Sequence, residues 1–600
     1  MKRPRFLFTI CILAVAAGGL AVRLPRLDRR PMHCDEANQA MKTGMLFETG
    51  VYRYDPQEHH GPSLYWLTLP SLWLGSVHDV AQSSETQYRL VPVVFGVGLI
   101  VLLLLVGDGL GRVPAVLAGV FAAISPAMVF YSRYYIQETL LVFFTFAAIA
   151  CGWRYVRSRH CGGRVMPWAI GAGACIGMMH ATKETWILPA AAMLAALVLT
   201  AAWTRWRDGK DRSITVGHVS NVSGTLETCP TNTYVQPGAM LAGVVVACVV
   251  AVALYSSFGA DWHGPIDSVV AYATYFRRGG EAGIHAHPWY YYLQLLTAYH
   301  PAKGFFFSEG LIAGLAAVGV VVALGRRIGS RDTTAEHAHA SVGMAPEPSQ
   351  DATAGRSDGS AADAGQVVFC RFLAFYTVVL TVLYAAIAYK TPWCLLGFLH
   401  GMTLLAGVGA WAVLRAVPLP AGRLRETSLS KVVPGIAARA ILGGLLLVGA
   451  VQLGRQCYVL NYRLDADQRN PYVYAHTSRD VLNLAAQMQR LAEVSPQGND
   501  MVIHVVTPQN YWPLPWYLRK FNGNYIGYWQ DAAAWHSATK ALPAPSVIIL
   551  TDDVQQAVDA QLPGAYNRQM IFGLRPGVLL NVYVREDLWA AFLSANSSRS

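Results

Sequence analysis

Residues 6–22 read FLFTICILAVAAGGLAV without a single charge, and about ten residues further on, residues 33–37 read HCDEA. A bilayer core takes about 20 apolar residues as helix, so the first stretch predicts a membrane span. The basic start Met1-Lys2-Arg3-Pro4-Arg5 also suits a secretory leader, but Arg23-Leu24-Pro25-Arg26 offers no small-residue cleavage site, which favours a retained signal-anchor helix. Asp35 and Glu36 are costly to desolvate. A carboxylate pair just beyond a membrane helix therefore belongs in water or in a site that uses it.

The same window, moved along the chain, predicts about eleven helices, near 6–24, 88–107, 113–131, 139–156, 166–181, 185–203, 237–258, 305–325, 369–389, 393–413 and 436–455. Only 14% of the 600 residues are charged and 54% are hydrophobic, whereas a soluble chain is roughly 25% charged. The net charge of +11 sits in short clusters between apolar runs, the distribution that orients a membrane protein, and no nucleic-acid motif accompanies it. Arg112, the group Arg154 to Arg164, Arg205 to Arg212, Arg326, Arg327 and Arg331, and Arg415 to Lys431 all fall on one side by parity. That side is predicted to be cytoplasmic, with the N-terminus inside. Arg23, Arg26, Arg29 and Arg30 fall on the other side. They are either outvoted by the inner clusters or placed to meet an anionic headgroup.

The predicted fold class is mainly α: a polytopic transmembrane helical bundle over 1–455, with its first outer loop at 25–87, followed by an extracytoplasmic α/β domain over 456–600. The stretch 328–366 is rich in Ala, Gly, Ser, Asp and His and is predicted to be a disordered inner loop. In the tail, residues 477–494 have helical spacing; 501–506, 546–550, 569–572 and 578–584 read as strands, the first two nearly all apolar, as buried parallel strands are.

On the predicted outer face lie Asp35 and Glu36, the segment His59-His60-Gly61-Pro62-Ser63-Leu64-Tyr65-Trp66, Arg133 with Glu138, Lys183-Glu184, His285 to Tyr292, and Lys390. Helix ends on one face are close in space, so these loops can converge on one cavity. Asp35 and Glu36 suit a general base; they equally suit the cap and first-turn acids of a helix from Ala37. Arg133 and Glu138 fit a site or a plain ion pair, and Lys183 fits a lipid phosphate or a pair with Glu184. Trp66, Trp289 and Tyr290 could stack on a sugar ring or belong to an interfacial belt. His285 and His287 have no third and fourth ligand at metal spacing, and the ten cysteines form no metal motif.

The acidic pair, residues 59–66, and Ser132-Arg133 with Glu138 resemble polyprenol-phosphate-dependent GT-C glycosyltransferases, a group that includes protein O-mannosyltransferases and the aminoarabinose transferase of lipid A. Tyr389-Lys390-Thr391-Pro392-Trp393, Pro471-Tyr472-Val473-Tyr474 with Thr477-Ser478, and Trp512-Pro513-Leu514-Pro515-Trp516-Tyr517-Leu518-Arg519 are similar to the flippase-activity-associated branch. The resemblance implies that Asp35 is the catalytic carboxylate with Glu36 beside it, that Glu138 matches a second acidic position, and that Lys183 and Lys390 match basic positions near the donor phosphate; His60, read from its own segment, could donate to that phosphate or be one of a solvated His pair at a helix start. Two positions depart from the pattern: Gln137-Glu138 at the second acidic motif, and His60-Gly61-Pro62 where the aminoarabinose transferase has Lys-Pro-Pro.

The function expected is transfer of a sugar from a polyprenyl-phosphate lipid to an extracytoplasmic acceptor, whether glycan, lipid or protein. The phosphate leaving group requires no cofactor, and a divalent metal is compatible with the chemistry. The rival expectation is a non-catalytic factor for translocating lipid-linked saccharides.

Overall fold

The computed structural model describes residues 3–57, 60–160, 162–209, 236–279, 285–301, 306–328, 350–417, 429–540 and 542–597. Each of the eleven apolar runs coincides with a helix among these residues. Eight helices, from Arg5–Arg23 to Gly435–Arg463, are long and apolar enough to cross a membrane. Met166–His180 and Gly310–Gly325 are shorter. This is a multi-pass membrane protein. Where helices cross closely, small residues admit backbone contact: a Cβ on Gly409 would lie 1.9 Å from the Leu315 carbonyl oxygen. Outward faces keep their apolar side chains exposed, as Leu194, Val198, Leu445 and Val448 do, which suits lipid as solvent.

One span is broken. Arg112–Ile124 and Pro126–Ser132 meet at 62°, because Ser125 is extended and Pro126 has no N–H to continue the first helix. The new N-terminus is capped twice. The Ser125 hydroxyl accepts from the Met128 N–H, and the buried Glu309 carboxylate accepts from the Ala127 N–H at 2.8 Å.

The arginine-bearing helix ends gather at the end of the bundle away from Asp35, joined by Arg371–Asp208 at 2.6 Å, Arg326–Asp363 at 3.1 Å and Asp108 with Arg154. Of the stretch 328–366, residues 329–349 lie outside the described residues, but Gln350–Ala386 is one helix.

The first loop is built, not loose. His33 caps the helix Cys34–Thr49, its Nδ1 accepting from the Asp35 N–H while Glu36 accepts from the His33 N–H. Ser63–Leu74 follows as a second helix, with Trp73 and Leu74 exposed at its end.

The last span continues to Arg463, past the expected boundary at 455. The tail then forms a five-stranded sheet of order β2-β1-β3-β5-β4, from β1 Ile503–Val506, β2 Ile526–Trp529, β3 Val547–Thr551, β4 Tyr566–Arg575 and β5 Val578–Arg585. Strand β1 runs parallel to β2 and β3, and β4 and β5 form an antiparallel hairpin. The tail packs on the first loop through the Trp512–Arg519 segment. Trp516 Nε1 donates to Glu85 at 2.8 Å, Arg519 stacks 3.7 Å from the Trp516 ring and donates to the Ser83 carbonyl, and the Tyr517 hydroxyl accepts from the Met32 N–H at 2.8 Å.

Candidate active site

A cavity of about 660 Å³ opens among the loops at the Asp35 end of the bundle. Its polar lining includes Asp35, Gln39, His60, Glu138, Lys183 and Glu184; Tyr272, Tyr384, Tyr389 and Trp393 supply aromatic walls. Four of the residues read from sequence as site candidates, Asp35, His60, Glu138 and Lys183, therefore do share one pocket.

Their electrostatic situations differ. Lys183 Nζ is paired with the Glu138 carboxylate. His60 Nδ1 lies 2.9 Å from Glu184, which also accepts from the Tyr54 hydroxyl at 3.1 Å. The His60 loop is pressed onto the 180–184 turn: the Ser63 N–H donates to the Ala181 carbonyl at 2.8 Å, and the Ser63 and Thr182 hydroxyls are 2.7 Å apart. Gly61 permits this approach, since a Cβ there would fall 2.3 Å from the same carbonyl oxygen.

Asp35 stands apart. Its side chain is 44% exposed. The imidazole of His33 is 3.8 Å away, but Nδ1 accepts from the Asp35 N–H while Nε2 faces the Tyr474 carbonyl at 2.9 Å. The Cys34 thiol donates to the Asp35 carboxylate at 3.5 Å, and no Lys or Arg is paired with it among the described residues. His285, held through Nδ1 by the Tyr474 hydroxyl at 2.5 Å, has its pKa lowered by partial burial, against which the charge of Asp35 works.

Residues 60–214, about a quarter of the chain, match the family described as dolichyl-phosphate-mannose-protein mannosyltransferase. Two crystal structures of ArnT from Cupriavidus metallidurans, each 15% identical to this chain, are similar over 95% of it and 97% of their own length. The apo state gives a TM-score of 0.57 and the state bound to undecaprenyl phosphate 0.54. Archaeal oligosaccharyltransferase AglB from Archaeoglobus fulgidus, in complex with an inhibitory peptide and a dolichol-phosphate, is 11% identical over 92% of this chain and 70% of its own, with a TM-score of 0.49. No curated protein matches the chain.

The fold is that of the GT-C glycosyltransferases.

Within this GT-C framework the other candidates take different places. Glu36 is fully buried and lies outside the cavity, accepting from Arg30 Nη2 (3.1 Å), Arg89 Nε and Nη2 (2.8 Å each), and the N–H groups of Tyr135 and His33. Burial alone would raise its pKa; Arg30 and Arg89 hold it well below the usual carboxylate range. Successive helical side chains point about 100° apart, so Asp35 faces the cavity and Glu36 the protein. Glu36, expected beside Asp35 in the site, thus lies apart from the cavity lining.

Arg133 is also buried behind the site. It donates to the Arg23 carbonyl at 2.7 Å and the Tyr462 hydroxyl at 3.0 Å, fastening the broken span to the end of the first. Lys390 does not line the cavity, although Tyr389 and Thr391 do. Its Nζ donates to the carbonyls of His287 (3.0 Å) and Ile387, and burial lowers its pKa. It clamps the His285–Pro288 stretch against 387–391, where the His287 N–H also reaches Ala388. Trp66 stacks edge-on against Phe258, and Trp289 and Tyr290 are exposed away from the lining. The rings available to a sugar are Trp393, Tyr389, Tyr384 and Tyr272 instead. Tyr389 and Trp393 flank the quoted Lys390-Thr391-Pro392 motif and could have been named from it; Tyr384 and Tyr272 sit in apolar or unpatterned stretches with no local signal.

Among the described residues, the grouping whose atoms approach metal-ligand spacing is His33, Cys34 and Asp35, all within 4.8 Å. The helix cap already occupies the His33 nitrogens, so the ring fits a cation poorly; the Asp35 carboxylate keeps lone pairs for one.

Proposed function

We propose that this chain is an integral membrane glycosyltransferase that moves a sugar from a polyprenyl-phosphate donor to an acceptor on the extracytoplasmic side, with Asp35 as general base. The observation that carries this reading is the contrast among the cavity's acids. Glu138 and Glu184 are engaged by Lys183 and His60 at bonding distance, whereas Asp35 is partly exposed, has the His33 ring no nearer than 3.8 Å and accepts only a 3.5 Å contact from the Cys34 thiol. A general base needs open lone pairs aimed at the proton it takes.

In this reading the donor phosphate exchanges places with a carboxylate on Lys183 as a charge-assisted acceptor, with the His60 ring N–H as a second donor. Trp393 and Tyr389 flank the sugar. Asp35 orients and deprotonates the acceptor nucleophile, which attacks the anomeric carbon opposite the phosphate, with inversion. The C–O bond to phosphate breaks and polyprenyl phosphate leaves with its negative charge held by the same donors. The GT-C fold supports the donor class, since one structure that shares it holds undecaprenyl phosphate. The arginine-rich ends at the far side support an extracytoplasmic cavity in the cell membrane. Docking of the Trp512–Arg519 segment on the first loop is consistent with the flippase-associated likeness and gives the tail a role: holding the Asp35 helix in place.

The test is Asp35→Asn in purified protein supplied with polyprenyl-phosphate sugars and varied acceptors, with native mass spectrometry of co-purified lipid to name the donor. Turnover is expected to fall about 10²–10⁴-fold with lipid binding retained. A variant that keeps wild-type turnover, or a wild type with none, would favour the translocation-factor reading instead.

A further inference from the structure

A second cavity, of about 530 Å³, lies at the opposite end of the bundle. Arg5 enters it from the first span, Arg112 from the start of Arg112–Ile124, and Arg154 and Arg157 from the last turns of Glu138–His160. Its one acidic residue is Asp108. Asp108 accepts from Trp153 Nε1 at 2.8 Å and pairs with Arg154 at 3.3 Å and Arg157 at 3.4 Å. Four guanidinium groups thus face one carboxylate.

Inner-side arginines that only orient a chain need no such convergence, since the positive-inside preference acts on residues one at a time. Three further facts point to a ligand. Arg5 and Arg112 have no ion-pair partner among the described residues. The Nε–H of Arg154 is buried with no acceptor there. The helix at Arg112 begins after Gly111, whose missing side chain leaves the N-terminal N–H groups uncapped and the positive end of the dipole open to an anion. Trp168, with Arg154 5.6 Å from its ring, marks the headgroup depth where such rings settle. The apolar part of the wall comes from Phe8, Leu104 and Leu105.

The geometry points to a binding site for the phosphate headgroup of an anionic lipid in the leaflet on the arginine side. The phosphate sits among Arg5, Arg112, Arg154 and Arg157, and the glycerol and first methylenes run along the apolar wall. A free phosphate would use the arginines but leave that wall wet. The site is separate from the Asp35 cavity and does not depend on the transferase reading.

The experiment is a native mass-spectrometric titration of the full chain in detergent with dioleoylphosphatidylglycerol, dioleoylphosphatidylcholine or inorganic phosphate. Wild type is expected to bind the anionic lipid about tenfold or more over the zwitterionic one, and Arg112→Gln/Arg157→Gln to lose most of that preference. Arg326→Gln, at the same end but outside the cavity, should keep it. If the double variant does not fold, Arg5→Gln on the exposed first helix reads the same loss at smaller size. Equal binding of the two lipids, or undiminished anionic-lipid binding in the variants, overturns the proposal. Displacement of the lipid by micromolar inorganic phosphate overturns the lipid assignment in favour of a free anion.

Discussion

Asp35 and Glu36 are neighbours in sequence with opposite expected consequences when neutralised, and Glu36→Gln is the sharper case. The carboxylate accepts five hydrogen bonds: one from Arg30, two from Arg89, and one each from the Tyr135 and His33 backbones. A glutamine keeps one acceptor oxygen; its amide would face donors, for instance Arg89 Nη2 and the His33 N–H now on Oε2. Two buried guanidinium groups would lose their counter-charge, and breaking a buried pair from one side typically costs about 3–5 kcal/mol. The unfolding midpoint in detergent should therefore drop by at least about 3 °C, with turnover per folded molecule largely preserved. This is the reverse of Asp35→Asn. The sign of the pH dependence follows. A carboxyl whose folded pKa is depressed stabilises above its unfolded value, and that stability is lost as pH falls below the ordinary carboxylate range. A Glu36→Gln protein that melts within about 1 °C of wild type but has lost turnover would refute the structural assignment.

Lys183→Met should weaken donor binding by about tenfold or more, the value of one charge-assisted hydrogen bond, whereas Lys390→Met should change it little while making the 285–288 stretch more sensitive to protease; donor titration with limited proteolysis reads both. Gly61→Ala should cost about 1–3 kcal/mol and most of the activity, because the added carbon meets the Ala181 backbone at 2.3 Å and the His60–Glu184 contact cannot survive the shift; melting and turnover together check it. In the tail, burial pulls His504 down to about 4 while its Nδ1 accepts from Trp535 Nε1. Between pH 6.5 and 4 the unfolded chain takes a proton that the folded one refuses, so acid should remove about 3 kcal/mol of stability. His504→Gln keeps the acceptor and should flatten that loss in urea unfolding followed by tryptophan fluorescence; an unchanged slope would count against it.

The helices were legible because lipid demands long uncharged runs, and no other environment in this chain writes the same pattern. Asp35 was legible for a related reason, as a charge set beside a span must have a use. That argument does not tell which use. Glu36, Arg133 and Lys390 meet it as well as Asp35 does, yet they serve buried guanidiniums and backbone carbonyls, since a broken span and tightly joined loops leave polar groups to satisfy. The distinction lies in which way the side chain points, fixed for the acidic pair by the angular step between adjacent helix positions and for Lys390 by a contact with a residue over a hundred positions away. Tyr384 and Trp393 reach the cavity from two successive spans far from Asp35 in sequence, and no local spacing encodes that meeting. Strand β2 was missed on similar grounds: Ile526–Trp529 is four residues long, contains a glycine and lies at the sheet edge, so its pairing with β1 is a tertiary fact. The Trp512–Arg519 segment is the converse. It was conspicuous in sequence without a role, and its role becomes readable only when Trp516 and Arg519 are seen holding Glu85 and Ser83. A charged residue next to a membrane span therefore marks the neighbourhood of a site, and an exposed carboxylate facing the cavity with no Lys or Arg paired to it among the described residues is what separates the candidate base from its structural neighbours.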